Sequence, residues 1–78
     1  MGWRMNQDDI HQFGRYFVLR IEDPSDPTPY RWCLVPTHRI TYGELEAESW
    51  RGFVLASASG QATTRDEMNA QIREALGS

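Results

Sequence analysis

The side chains of this 78-residue sequence best suited to nucleophilic catalysis are Cys33, His11 and His38. A reactive thiolate needs a base or a cation beside it. Cys33 instead stands in the apolar run Trp32-Cys33-Leu34-Val35, while His11 is followed by Gln12 and His38 lies between Thr37 and Arg39. Nothing in the spacing brings either imidazole to the sulfur. Cys33 therefore reads as a buried, inert thiol in a reducing compartment, and no catalytic residue is assigned. Asp8, Asp9 and His11 offer metal-ligating atoms without a spacing specific to any metal, and acids there equally suit the first turn of a helix. The six glycines are scattered and form no phosphate-cradling loop. The sequence thus points to a non-enzymatic protein with no metal and no cofactor.

Binding chemistry is better represented. Glu44, Glu46 and Glu48 alternate, and on an extended segment all three carboxylates would project on one side at roughly phosphate-like spacing. They form either a surface that docks onto a partner's Arg/Lys groove or a solvated acidic turn. Trp50, between Ser49 and Arg51, is either a partly exposed anchor of the kind enriched in binding hot spots or a core-edge residue. Trp32 has the parity of a core position, and Trp3 could anchor a partner or fold over the sheet.

These residues need elements to position them. Asn6 followed by Gln7-Asp8-Asp9 and ended by Gly14 predicts a short helix of two turns or an irregular arm, pinned by Ile10 and Phe13. Residues 15–22 alternate, with Phe17, Leu19 and Ile21 on one face of a first strand. Three prolines within residues 23–29 forbid strand or helix there and make a stiff loop. Tyr30–Val35 predicts a second strand, with Tyr30, Trp32 and Leu34 on the core side, paired to the first as a long-loop hairpin. Residues 37–50 read either as a strand or, from the Thr41-x-x-Glu44 capping-box spacing, as a helix. The balance favours a short strand or loop through Tyr42 and then a helical turn ending near Trp50. Residues 52–58 predict a third strand with Ser59-Gly60 as its turn. Thr64-x-x-Glu67 caps a closing helix whose Met68, Ile72, Ala75 and Leu76 form one apolar stripe.

The expected fold is α+β: a small antiparallel sheet of three to four strands with one face packed by the C-terminal helix, in the order α(?)-β-β-(β/α)-β-α. Residues 1–14 form an arm or short helix, and residues 15–76 a single domain. The other face, with Tyr16, Val18, Arg20, Arg31, Cys33, Val35 and Val54, reads as a mixed apolar and charged surface, of the kind that marks an interface.

Charge narrows the partner. Eleven acids against eight bases give a net charge of −3, which repels a phosphate backbone and disfavours direct nucleic-acid binding. All of the excess falls in residues 41–78, where three Arg meet six acids (3 − 6 = −3). The first residues hold no apolar signal-like region, and no stretch approaches the roughly 20 apolar residues of a membrane helix, so the expected location is cytoplasmic and off the membrane.

The outline of two strands, one of them Trp-centred, then a strand and a Thr-x-x-Glu-capped helix, is similar to many short reading frames of bacteria and their mobile elements. A small, acidic, single-domain chain without catalytic motifs also resembles in kind phage-encoded inhibitors, anti-CRISPR proteins among them. That resemblance transfers no site residue. It implies a protein–protein interaction protein that occludes a partner's basic nucleic-acid-binding surface. The candidate contacts are Arg20, Arg31, Glu44, Glu46, Glu48 and Trp50, with a homodimer as a further expectation because so short a chain buries a small core. The alternative is a nucleic-acid-associated module using Tyr16, Arg20 and Arg31 on one sheet face.

Overall fold

The computed structural model describes residues 9–77. Its strands are β1 (Ile10–Phe13), β2 (Tyr16–Glu22), β3 (Tyr30–Pro36) and β4 (Ala58–Ala62), and its helices are α1 (Tyr42–Ala47), α2 (Trp50–Leu55) and α3 (Arg65–Gly77). The strands form one antiparallel sheet in the order β1-β2-β3-β4. The α+β class, the antiparallel sheet, the β2–β3 long-loop hairpin and the C-terminal helix match the sequence expectation.

Turn chemistry and loop length set the registers. Gly14, at φ 61°, takes the first central position of the two-residue β1–β2 turn, where a type II′ hairpin requires glycine. Between β2 and β3, Glu22 pairs with Tyr30 across the seven residues 23–29. That loop is closed by Asp23 N donating to the Pro29 carbonyl (2.7 Å) and Asp26 N to the Asp23 carbonyl (3.0 Å). An odd loop of this kind pairs residues of like parity, so Leu19 opposes Cys33 and Val18 opposes Leu34.

This register corrects the expected division of faces. Phe17, Leu19 and Ile21 share a face with Cys33 and Val35, and that face is buried beneath Ile40 and Leu45, with Phe53, Leu55 and Ala56 packed against it. Val18, Trp32 and Leu34 share the other face, buried with Met68 and Ile72 of α3. Helices thus cover both faces. The mixed face expected to lie open does not exist as a unit, because alternation within each strand was legible but the parity between strands was not.

Three further expectations are corrected. Ile10–Phe13, expected in a short helix or arm, is the edge strand β1; residues 6–8 of that segment, and Trp3, lie outside the described residues. Residues 52–58, expected as a strand, are helical through Leu55. Ser59-Gly60, expected as a turn, lies inside β4. Both of the last two reflect tertiary packing overriding local preference. A β-carbon on Gly52 would lie 2.7 Å from Leu45 Cδ1 and 3.0 Å from Leu19 Cδ2, so α2 sits directly on the sheet through its glycine. A β-carbon on Gly60 would lie 2.7–2.8 Å from the Trp32 indole, so β4 gives up a side chain to make room for that ring. The indole Nε1 then donates to Gln71 Oε1 of α3 at 2.7 Å, joining β3 to the helix.

The α3 expectation holds: Met68 and Ile72 are buried, and Ala75 and Leu76 pack on the same cluster. Thr64 Oγ1 accepts from Glu67 N (3.1 Å), but the returning Glu67 carboxylate accepts from Thr63 N (2.9 Å) and the Thr63 hydroxyl (3.0 Å) instead of closing on Thr64.

The two glycine environments predict opposite responses to alanine. Gly60→Ala pushes a methyl into a rigid ring and should destabilise by about 1–3 kcal/mol. Gly43→Ala, with nothing within 4 Å of the added carbon, should be neutral or stabilising by about 0.4–1 kcal/mol. Urea unfolding of both variants checks this; equal effects would contradict the packing of Trp32 on β4.

Candidate interaction surfaces

The α1–α2 layer is built from a local signal followed by a tertiary one. Thr41 and Glu44 form the capping box: Glu44 N donates to Thr41 Oγ1 (3.2 Å), and Glu44 Oε1 accepts from Thr41 N (3.1 Å) and from the Thr41 hydroxyl (2.9 Å). The helical reading of this segment is therefore the one adopted, from Tyr42 to Ala47. α2 has no side-chain cap hydrogen bond at Ser49, so packing through Gly52 holds it in place. With Gly52 against the sheet, Trp50 and Val54, one turn apart, face away and are 56% and 72% exposed. Trp50 is thus an exposed residue and not one at the core edge.

The three glutamates do not line one side of an extended segment. Glu44 and Glu46 are in α1 and Glu48 is its C-cap, so helical geometry turns Glu46 away from the other two. Glu44 and Glu48 both approach Arg51, at 3.7 and 3.9 Å from its Nη1. Glu44 is thus first a structural cap, whereas Glu46 is an exposed carboxylate on the same layer as Trp50.

Arg20 and Arg31, expected together, lie on opposite faces: Arg20 opposes Trp32 and Ile21 opposes Arg31. Arg31 Nη2 donates to the carboxylate of Asp26, and its Nε is buried with no partner among the described residues. It is a strut for the proline loop. Arg20 Nε donates to Asn69 Oδ1 at 3.1 Å, and burial, then the like charge of Arg65, pushes its pKa down. Tyr16 packs against the cluster under α3. Tyr16 and Arg20 thus share the α3-side face while Arg31 lies on the other, so the three residues expected to form one platform are divided between the two faces.

Sequence reasoning missed the groove between β1 and α3, of about 580 Å³. Phe13, Val18, Ile72 and Leu76 give it apolar walls, and among the described residues its ionisable lining groups are His11, Arg20 and Arg73. Phe13 is 64% exposed there. Assigning Ile10–Phe13 to a helix hid this site, because only as a strand does β1 set His11 and Phe13 on the α3 side. A smaller depression of about 310 Å³ adjoins it at Arg20 and includes Tyr30 and Arg65, with the Arg65 guanidinium 5.5 Å from the Tyr30 ring centre.

The residues first considered for catalysis are not assembled. Cys33 is wholly buried and desolvation pushes its thiol up to about 12, while His11 and His38 are exposed. Among the described residues no group of three or more His, Cys, Asp or Glu could hold a metal ion, and Asp8 lies outside them. Among the described residues, too, no helix is long and apolar enough to cross a membrane.

Three carboxyls are held below their usual range: Glu44 by the backbone N–H and hydroxyl of Thr41, Glu67 by those of Thr63, and Asp26 by the Thr28 N–H and then Arg31. A folded pKa below the unfolded one stabilises the fold above the unfolded value and withdraws that stability as pH falls through the folded value. Stability should therefore drop from about pH 4.5 downward. A Glu44→Gln, Glu67→Gln variant should be less stable at pH 7 and show a shallower acid limb in urea titrations at stepped pH; an unchanged acid limb would contradict the capping roles.

No family model, curated protein or solved structure matches this chain, so the functional reading rests on the geometry of these surfaces.

Proposed function

We propose that this chain is a non-enzymatic cytoplasmic protein that binds another protein through the outer face of α2. The observation that carries the reading is the exposure of Trp50 and Val54, one turn apart on a helix whose opposite side is fixed by Gly52. An indole held in the open by a rigid element adds large apolar burial at a low ordering cost when a partner covers it. The adjoining α1 segment carries Glu44, Glu46 and Glu48, of which Glu44 and Glu48 approach Arg51, Arg39 donates to the Leu55 carbonyl at the end of α2, and Glu46 is an exposed carboxylate of this layer. The fitting partner surface is an apolar pocket with a basic rim. Where that rim serves the partner for nucleic acid, docking here is inhibitory.

Arg20 and Arg31 leave the contact set, since they occupy opposite sheet faces and one braces a loop. Glu44 is a poor residue for a charge-reversal test, because reversing it removes the α1 cap. Glu46→Arg tests the acidic rim cleanly.

The experiment is capture from nuclease-treated bacterial lysate by the immobilised chain, in parallel with a Trp50→Ala, Val54→Ala variant and Glu46→Arg. A stoichiometric protein partner should be retained by the wild type and weakened by about tenfold or more in the double variant, with thermal unfolding unchanged. Glu46→Arg should weaken it further at low salt than at high salt. Equal capture by wild type and double variant would overturn the reading.

A further inference from the structure

Among the described residues the sheet ends at β4, which pairs with β3 on one side and with no strand on the other. An edge strand offers main-chain N–H and C=O groups to a further strand, and proteins ordinarily block it with charge, proline or a bulge. β4 carries none of these: it reads Ala58-Ser59-Gly60-Gln61-Ala62, and its register against β3 runs one residue to one throughout. Outside that pairing its main chain meets one group among the described residues, Gln71 Nε2, which donates to the Gln61 carbonyl at 3.1 Å. That carbonyl keeps a second lone pair. The edge also borders a groove of about 610 Å³, with Trp32 and Gly60 on the sheet side and Glu67, Ala70, Gln71 and Glu74 on the α3 side. Its ionisable lining groups among the described residues are the two glutamates. Glu67 is anchored by Thr63, Glu74 forms no ion pair among the described residues, and Arg73 lines the β1–α3 groove instead. On the other side of β4, Ser59 and Gln61 border a smaller depression of about 300 Å³ whose ionisable group, Arg31, is already tied to Asp26.

We infer that β4 is a docking edge for an extended segment of a partner protein, one that carries basic side chains at every second position over the β4–α3 groove. Main-chain hydrogen bonds to an open edge supply affinity in this mode of recognition, and pockets for alternate side chains supply specificity. Successive side chains of the added strand point to opposite faces of the sheet. One set falls between β4 and α3, where Glu67 and Glu74 call for Arg or Lys, and the aliphatic stems of those side chains can lie along Ala70. The other set falls beside Ser59 and Gln61, where Arg31 and Asp26 already satisfy each other, so small polar side chains fit there. The occupant is thus defined by its alternation as well as by its charge. This edge is separate from the outer face of α2, and the inference does not depend on that face.

The probe is a capped synthetic peptide of alternating Arg and Thr, with a block isomer of the same composition as its control. Affinity for the full chain is measured by fluorescence anisotropy of the labelled peptides, and the site by amide hydrogen exchange with and without peptide. The alternating peptide should bind about tenfold or more tightly than the block isomer, because only alternation places every Arg over the groove. On binding, exchange should slow at amides within Ala58–Ala62 and stay unchanged in β1. Glu74→Gln, checked for folding by thermal unfolding, should weaken the alternating peptide by about two- to fivefold, the range of an exposed ion pair. The Trp50→Ala, Val54→Ala variant should bind it as the wild type does. Failure of the alternating peptide to bind, equal binding of the two isomers, or binding without slowed exchange in β4 each overturns the inference. So does loss of peptide binding in the Trp50→Ala, Val54→Ala variant, which would move the peptide to α2. Protection of β4 that rises with the concentration of the chain alone would make a second copy the occupant and overturn the peptide assignment. Protein capture that depends on Trp50 and Val54 in a chain that binds no peptide would remove the β4 inference and leave the α2 reading standing.

Discussion

The pairing of β2 with β3 sets the terms for everything else in this molecule. Glu22 meets Tyr30 across the seven-residue proline loop, so Leu19 faces Cys33 and Val18 faces Leu34. A slip of one residue in either strand would put Val18 beside Cys33 and mix the two apolar sets on each face. The loop that fixes this register is stiffened by its prolines and by Asp26, which accepts from Thr28 N (2.9 Å) and from the Arg31 side chain. Arg31 is therefore placed by the register and in turn holds the loop that sets it. From that pairing follow two buried faces, two helical layers to cover them, and the separation of Arg20 from Arg31.

Legibility in the sequence followed the range of the interaction responsible. The β2 and β3 strands alternate visibly, and the α3 stripe and the Thr41/Glu44 cap use spacings within one or two turns, so these were readable. β1 was not, because Gly14 ends a helix as readily as it makes a hairpin turn, and only pairing with Tyr16–Leu19 decides between them. α2 and β4 were exchanged for the same kind of reason. Phe53, Val54 and Leu55 have strand composition, yet the fit of Gly52 against Leu45 and Leu19 makes them helical. Ala58–Ala62 has no strand signature, yet its lack of bulk at Gly60 is what the Trp32 ring requires. At the surfaces, Trp50 was legible as a candidate from its polar neighbours. The β1–α3 groove was not, because it exists only after β1 and α3, some fifty residues apart in sequence, are assembled.

The acidic run shows how one set of residues divides between structure and surface. Glu44 closes a capping box and Glu48 shares Arg51 with it, which leaves Glu46 as the carboxylate least committed to the fold. The basic residues divide similarly: Arg31 braces a loop, Arg20 is tied to Asn69, and Arg73 stands exposed at the groove. The surfaces free to recognise a partner are therefore smaller than the raw charge pattern suggested. They sit on opposite sides of the sheet.

The account depends most on both sheet faces being covered, and Cys33 is its natural reporter, since it lies under the α1–α2 layer with no exposed surface. The direct measurement is the rate at which Ellman's reagent modifies the single thiol in the native chain across a urea series. With the layer in place and the thiol raised to about 12, modification should be slow in buffer and accelerate only in step with global unfolding. Reaction in native buffer at the rate of the fully unfolded chain would mean that the second face is open, and would contradict the register on which this account is built.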